Sequence, residues 1–304
     1  MDILVRIYEI KIMKLQLLLT LLCISLLTGC GGKTPPPQSH TADYNGHKVH
    51  YQIDGSGSKT IVFIHGWSCD TEFWKYQTPA FRDDYRVILI DLPGHGKSHA
   101  PDIDYTLDAF ADAVKAVMDH SSTEKALIAG HSMGFAVAWQ FAIKYPASAA
   151  GVCSVDGAFF RVPENPVEFA TLKQNIDRVK AGLKMPDREA FLTAFLESMY
   201  TEKTTPQIRE FILNKMSATP KHVGDSAMDD LLDLDNWRDL SVLDIPTLAV
   251  YVNNPEFTDE DRAFLREKFT NMDYHEIEDY SHFFMLETPD YFNTTLKAFL
   301  EANL

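Results

Sequence analysis

KALIAGHSMGFAVAWQFAIKY, residues 125–145, decides the fold. The first part, KALIAG, is a short apolar run of the length of a buried strand. The last part, FAVAWQFAIKY, is apolar at helical spacing. Between them, Gly130-His131-Ser132-Met133-Gly134 fits G-x-S-x-G. A strand that becomes a helix across so few residues must bend sharply, and neighbouring side chains would collide, so the turn calls for the flanking glycines. Ser132 is then carried to the carboxyl end of a strand, above a helix N-terminus. That positive end favours the negative charge that develops when a carbonyl is attacked. Ser132 is therefore the candidate nucleophile.

Working outward, TIVFIH (60–65), RVILID (86–91), AGVCSV (150–155) and TLAVYV (247–252) are continuous apolar runs. Such runs suit strands buried on both faces. HKVHYQI (47–53) alternates and ends at Gly55-Ser56-Gly57, which predicts an edge strand. DYHEIE (273–278) alternates less cleanly. Helical periodicity lies between the strands: Leu107, Phe110, Ala111, Val114, Val117 and Met118 share one face of 106–120. Alternating strands and helices imply an α/β fold with a mostly parallel sheet and right-handed crossovers. Residues 158–244 break the alternation with helical patterns alone, such as Phe191, Leu192, Phe195, Leu196 and Met199. They are expected to form an inserted helical cap. The body then comprises residues 44–157 and 245–304, and Phe159 and Phe160 are the best candidates to line a pocket beneath the cap.

Three further segments carry chemistry. His65-Gly66-Trp67 follows a strand. Asp91-Leu92-Pro93-Gly94-His95-Gly96-Lys97-Ser98 follows another. Ser281-His282-Phe283-Phe284-Met285-Leu286-Glu287 comes late in the chain. In this order, and with G-x-S-x-G, they resemble the motifs of the α/β-hydrolase superfamily from about residue 44 to the end. Ser281 departs from that pattern, where glycine is common. The resemblance implies that Ser132 attacks an acyl carbon and that His282 acts as general base. It also implies that the backbone N–H groups of Trp67 and Met133 bind the oxyanion. His65, His95 and His131 are expected to be structural members of their motifs.

The third triad member is less direct. The family's usual acid follows the strand that here ends in Val252-Asn253-Asn254-Pro255-Glu256, and Pro255 occupies the expected position. Two carboxylates remain: Glu256, one residue late, and Asp156, at the end of the 150–155 strand. Asp156 is favoured because a strand end holds a side chain more rigidly than a proline-containing loop. Its structural alternative is a hinge aspartate that caps backbone N–H groups.

The 304-residue chain has a net charge of −15, which repels phosphate backbones and makes nucleic acid an unfavourable partner. Neither metal-ligand spacing nor a nucleotide-binding motif occurs, so no cofactor and no metal is expected. At the N-terminus, MKLQLLLTLLCISLLTGC (13–30) has a basic start and a short apolar core. It ends like the lipobox of bacterial lipoproteins, which implies a signal peptide over 1–29 and lipidation of Cys30. Met13 opens a tidier signal than Met1. Residues 30–43 then form a flexible tether, and the body lies outside the cytoplasm, anchored to the cell envelope. Together these features predict a carboxylesterase-like serine hydrolase acting on a small or medium acyl ester. The alternatives are aminopeptidase, lactonase, C–C hydrolase and acyltransferase chemistry, or a lipid-anchored binding protein on a degenerate hydrolase fold.

Overall fold

A computed structural model describes residues 36–255 and 257–304. The signal segment, Cys30 and Glu256 lie outside the described residues. The centre of the body is an 8-stranded sheet in the order β1-β2-β4-β3-β5-β6-β7-β8. The strands are β1 (Gln38–Tyr44), β2 (His47–Asp54), β3 (Thr60–Ile64), β4 (Arg86–Ile90), β5 (Ala126–His131), β6 (Ala149–Val155), β7 (Thr247–Val252) and β8 (Met272–Ile277). β1 and β2 pair antiparallel, as do β2 and β4, and every pairing from β4 to β8 is parallel. The apolar runs at β3, β4 and β5 are buried almost throughout. From β3 the chain moves outward to β4, then returns to the other side of β3 as β5. A crevice opens at the carboxyl ends of strands where the order reverses in this way, and open α/β sheets bind ligands there.

Helices cover both faces. α1 (Leu107–His120) is capped by Thr106, whose hydroxyl accepts the Ala109 N–H, and its predicted stripe is buried. α2 (Met133–Lys144) follows β5 directly. Between β6 and β7 run α3 (Pro166–Leu183), α4 (Arg188–Glu197), α5 (Pro206–Ser217) and α6 (Lys221–Leu231). α3 and α5 begin at proline, with Asn165 and Thr205 as side-chain caps. Proline suits the first helical position, where its missing N–H has no partner to lose. α7 (Asp259–Lys268) and α8 (Pro289–Asn303) complete the body. Among the described residues no helix is long and apolar enough to cross a membrane.

The structure corrects the edge and the tether. Residues 38–43, expected within a tether, belong to β1, which takes the edge position and places β2 inside the sheet. Only Ala42 of β1 is buried, so this strand has almost no apolar pattern to read. Its backbone ladder holds it, with help from a Ser39 hydroxyl 2.7 Å from His50 Nε2. Cys69 and Cys153 are free and buried.

A buried polar network ties the sheet to its loops. Asp91 accepts hydrogen bonds from His50 Nδ1 at 2.8 Å, from the Thr71 N–H at 2.8 Å and from the Lys97 N–H at 3.0 Å. Burial alone would raise its pKa. The His50 bond, the nearby His65 and these amides outweigh that and hold it at about 2. Burial, with His65 alongside, lowers His95 from 6.5 to about 3, and it also drives His65 and His131 downward. A histidine kept neutral by the fold takes up its proton more readily when unfolded, so stability is complete above pH 6.5 and falls below it. For His95 the loss is about 2 kcal/mol by pH 5. The Asp91 carboxylate is also depressed, so its contribution, again about 2 kcal/mol, persists until pH falls from about 4 toward 2. Urea midpoints at pH 8, 5 and 3 therefore fall in two stages. Equal midpoints at pH 8 and pH 5 would contradict the neutral histidines.

Candidate active site

β5 delivers Ser132 into a turn at φ 53° and ψ −122°, and α2 starts at the next residue. A Cβ on Gly130 would lie 2.1 Å from the Gly134 carbonyl oxygen, and one on Gly134 would lie 2.4 Å from that of Ile64. Both glycines are thus required by close backbone approach. The turn is pinned from β6 as well as from its own helix. The Ser132 N–H donates to the Val155 carbonyl at 3.2 Å, and the Ser132 carbonyl accepts the N–H of Ala158 at 3.0 Å and of Phe135 at 2.9 Å. Met133 occupies the first turn of α2, where N–H groups have no carbonyl one turn back.

Asp156 and His282 meet. His282 Nδ1–H donates to Asp156 Oδ2 at 2.5 Å. The other oxygen, Oδ1, accepts the Val252 N–H at 2.9 Å, and the Asp156 N–H donates to the Val250 carbonyl at 2.8 Å. β7 therefore supplies the site with a backbone donor from Val252, and the family's usual acid position, Pro255, lies three residues further on. Asp156 has φ 44°. A non-glycine residue in this region is strained, and aspartate is among those that tolerate it best. The His282 ring packs against that of His131, with centroids 4.6 Å apart, and His131 Nε2–H donates to the His282 carbonyl at 2.9 Å. Burial, reinforced by the neighbouring His282, holds His131 far below the usual histidine range, so it serves as a neutral donor. His65 and His95 are likewise buried and bonded to backbone: the Leu92 N–H donates to His65 Nε2, and His95 Nδ1–H donates to the Pro93 carbonyl.

The loop after β3 passes against the serine: a Cβ on Gly66 would lie 2.9 Å from His131 Nδ1 and 3.2 Å from the Ser132 Cβ. The cap holds this loop in three places. Trp67 Nε1–H donates to the Gly224 carbonyl at 2.7 Å, the Thr219 hydroxyl to the Ser68 carbonyl at 3.0 Å, and Lys215 pairs with Asp70 at 2.9 Å. The cap also holds the histidine loop. Glu287 accepts the Ser281 N–H at 2.8 Å and the Ser281 hydroxyl at 2.7 Å, together with the Thr204 hydroxyl at 2.5 Å. The hydroxyl that distinguishes Ser281 from glycine thus completes a clasp with Glu287 and Thr204. Sequence reasoning named Glu287 as the end of the histidine motif but not its partner Thr204, which lies 83 positions away in the chain.

Ser132, His282, Gly66 and Trp67 line one cavity of about 610 Å³ between the body and the cap. Phe160 lines it as anticipated. Phe159 does not: it faces a smaller cavity beside Asp156 and stacks on Phe264 with centroids 5.9 Å apart. Among the described residues no three histidine, cysteine, aspartate or glutamate side chains stand together as metal ligands.

This sheet, with a serine turn and an aspartate–histidine pair at its switch point, is the architecture of the α/β hydrolases. Residues 59–289 match the alpha/beta hydrolase fold family, and the chain belongs to it. Among its relatives, the AB hydrolase superfamily protein YisY of Bacillus subtilis is 28% identical over 210 residues, which is 67% of this chain and 77% of that one. The dihydrolipoyllysine-residue acetyltransferase component of the acetoin cleaving system of Cupriavidus necator is 38% identical over 119 residues. That match spans 39% of this chain and only 32% of the relative. A solved structure of Est816, described as an N-acyl homoserine lactone degrading enzyme, is 25% identical with a TM-score of 0.73. It covers 86% of this chain and 100% of its own.

Proposed function

We propose that this hydrolase cleaves carboxylic esters through an acyl-enzyme, with Ser132 as nucleophile, His282 as base and Asp156 as the orienting acid. One observation carries the reading: the Asp156 carboxylate bonds His282 at Nδ1, and His282 shares a cavity with the strained Ser132 turn. A carboxylate at Nδ1 fixes the proton there and leaves Nε2 as the free base. Nε2 takes the Ser132 proton as Oγ attacks the acyl carbon. The Met133 and Trp67 amides stabilise the oxyanion. The imidazolium, stabilised by Asp156, then protonates the departing alcohol, and water repeats the sequence on the acyl-enzyme. A lactone is a cyclic ester that the same steps open, and the likeness to Est816 favours it as a second reading.

We propose further that Cys30 carries the lipid that anchors the body to the cell envelope; the support is the sequence ending Leu27-Thr28-Gly29-Cys30. One experiment addresses both proposals separately. A fluorophosphonate probe applied to cells expressing the full chain labels a band that is lost in Ser132→Ala. That band stays with membranes in the parent and turns soluble in Cys30→Ser. An unlabelled parent refutes the nucleophile, and unchanged fractionation of Cys30→Ser refutes the anchor.

A further inference from the structure

We infer that the cavity selects a neutral acyl chain of medium length, and that one face of α3 is the wall that reads it. The inference rests on the serine-esterase reading and adds the substrate class. Leu172, Asn175, Ile176 and Val179 all line the cavity, and their spacing of three, four and seven residues is one stripe of a helix. Met216 and Met228, from α5 and α6, line it too and are nearly buried, at 3% and 5% exposed. Their unbranched thioether chains adapt to guests of different length. Asn175 is exposed and its Oδ1 accepts from Arg178 at 3.2 Å, so it marks where the stripe meets solvent.

The charge inventory decides the rest. Among the described residues, no aspartate, glutamate, lysine or arginine lines this cavity. Burial pushes the Cys69 thiol well above its ordinary range and keeps His131 neutral. Among the described lining residues, His282 is then the one that takes a charge during the proposed reaction. A carboxylate or ammonium held against the apolar wall would lose its hydration and meet no opposite charge among the described lining residues, which is costly. Aminoacyl substrates are excluded on that ground, and with them the aminopeptidase alternative. A volume of 610 Å³ lies within the range of pockets that enclose drug-sized ligands. It has room for a medium-length acyl chain together with its leaving group.

The test is a p-nitrophenyl ester series from acetate to dodecanoate, run beside the singly charged succinate monoester and alanine p-nitroanilide. Each added methylene buried against the stripe raises kcat/KM about fourfold until the cavity is filled, and the rise stops before dodecanoate. The succinate monoester falls at least tenfold below butyrate, and the anilide is not cleaved. Val179→Trp lowers the octanoate-to-acetate ratio at least tenfold, while Val242→Ala, on the exposed surface, leaves that ratio within twofold. A flat series, equal rates for succinate and butyrate, or an unmoved ratio in Val179→Trp overturns the selectivity and leaves the esterase reading standing. Absence of turnover on every ester, with no fluorophosphonate labelling, overturns both.

Discussion

Ser132→Ala lowers kcat/KM for a short p-nitrophenyl ester by about 10⁶-fold. Alanine keeps the Cβ and hence the same backbone conformation, and it removes only the oxygen proposed to form the covalent bond. The remaining activity comes from the oxyanion donors and from binding, which still act on an attacking water. Because the Ser132 backbone bonds to Val155, Ala158 and Phe135 involve no side-chain atom, the fold is retained. Thermal unfolding followed by circular dichroism verifies this. A variant that unfolds normally and turns over at the parental rate would remove the nucleophile from position 132.

Asp156→Asn lowers the same parameter by about 10⁴-fold. Asparagine suits the test because it accepts φ 44° as readily as aspartate does. Its Oδ1 still accepts the Val252 N–H, so the link between β6 and β7 survives. What changes is the group facing His282 Nδ1: an amide N–H there forces the proton onto Nε2, and the imidazole loses its role as base. The loss lies in kcat, with KM little altered, since Asp156 does not line the main cavity. Glu256→Gln, measured in the same assay, stays within about threefold of the parent. The opposite pattern would move the orienting acid to the loop after β7.

Most of the body is legible in the sequence because its signals are local. A parallel strand buried on both faces has to be continuously apolar, so β3, β4, β5 and β7 are visible as runs. The turn at Ser132 needs its two glycines within five residues, so the candidate nucleophile is visible too. For the acid, Pro255 leaves Glu256 and Asp156 both open, and Asp156 is preferred only because a strand end is more rigid than a loop. The strained backbone of Asp156 and its bond to the β7 amide exist only once β6 and β7 lie side by side. β1 is hidden because a strand at an exposed edge can be polar on both faces and be held by main-chain bonds alone. The clasp of Thr204, Ser281 and Glu287 is hidden for a different reason. Ser281 and Glu287 stand out in their motif, but Thr204 is unremarkable in its own segment, and only the folded cap places its hydroxyl on a glutamate far along the chain. Phe159 and Phe160, adjacent in sequence, point to different cavities, which a periodicity argument cannot resolve where no helix or strand imposes a direction.

The cap's bonds to Trp67, Ser68 and Asp70 on one side and to Glu287 on the other have a consequence for engineering and for descent. A cap transplanted from a relative would arrive without counterparts for those groups, so the Trp67 indole would lose its bond to the Gly224 carbonyl and Glu287 the hydroxyl of Thr204, keeping only its bonds from Ser281. Diversification of this insertion is thus bound to paired changes in the two loops it grips, and chimaeras exchanging 158–244 alone should fold yet turn over poorly until positions 67 and 287 are rematched.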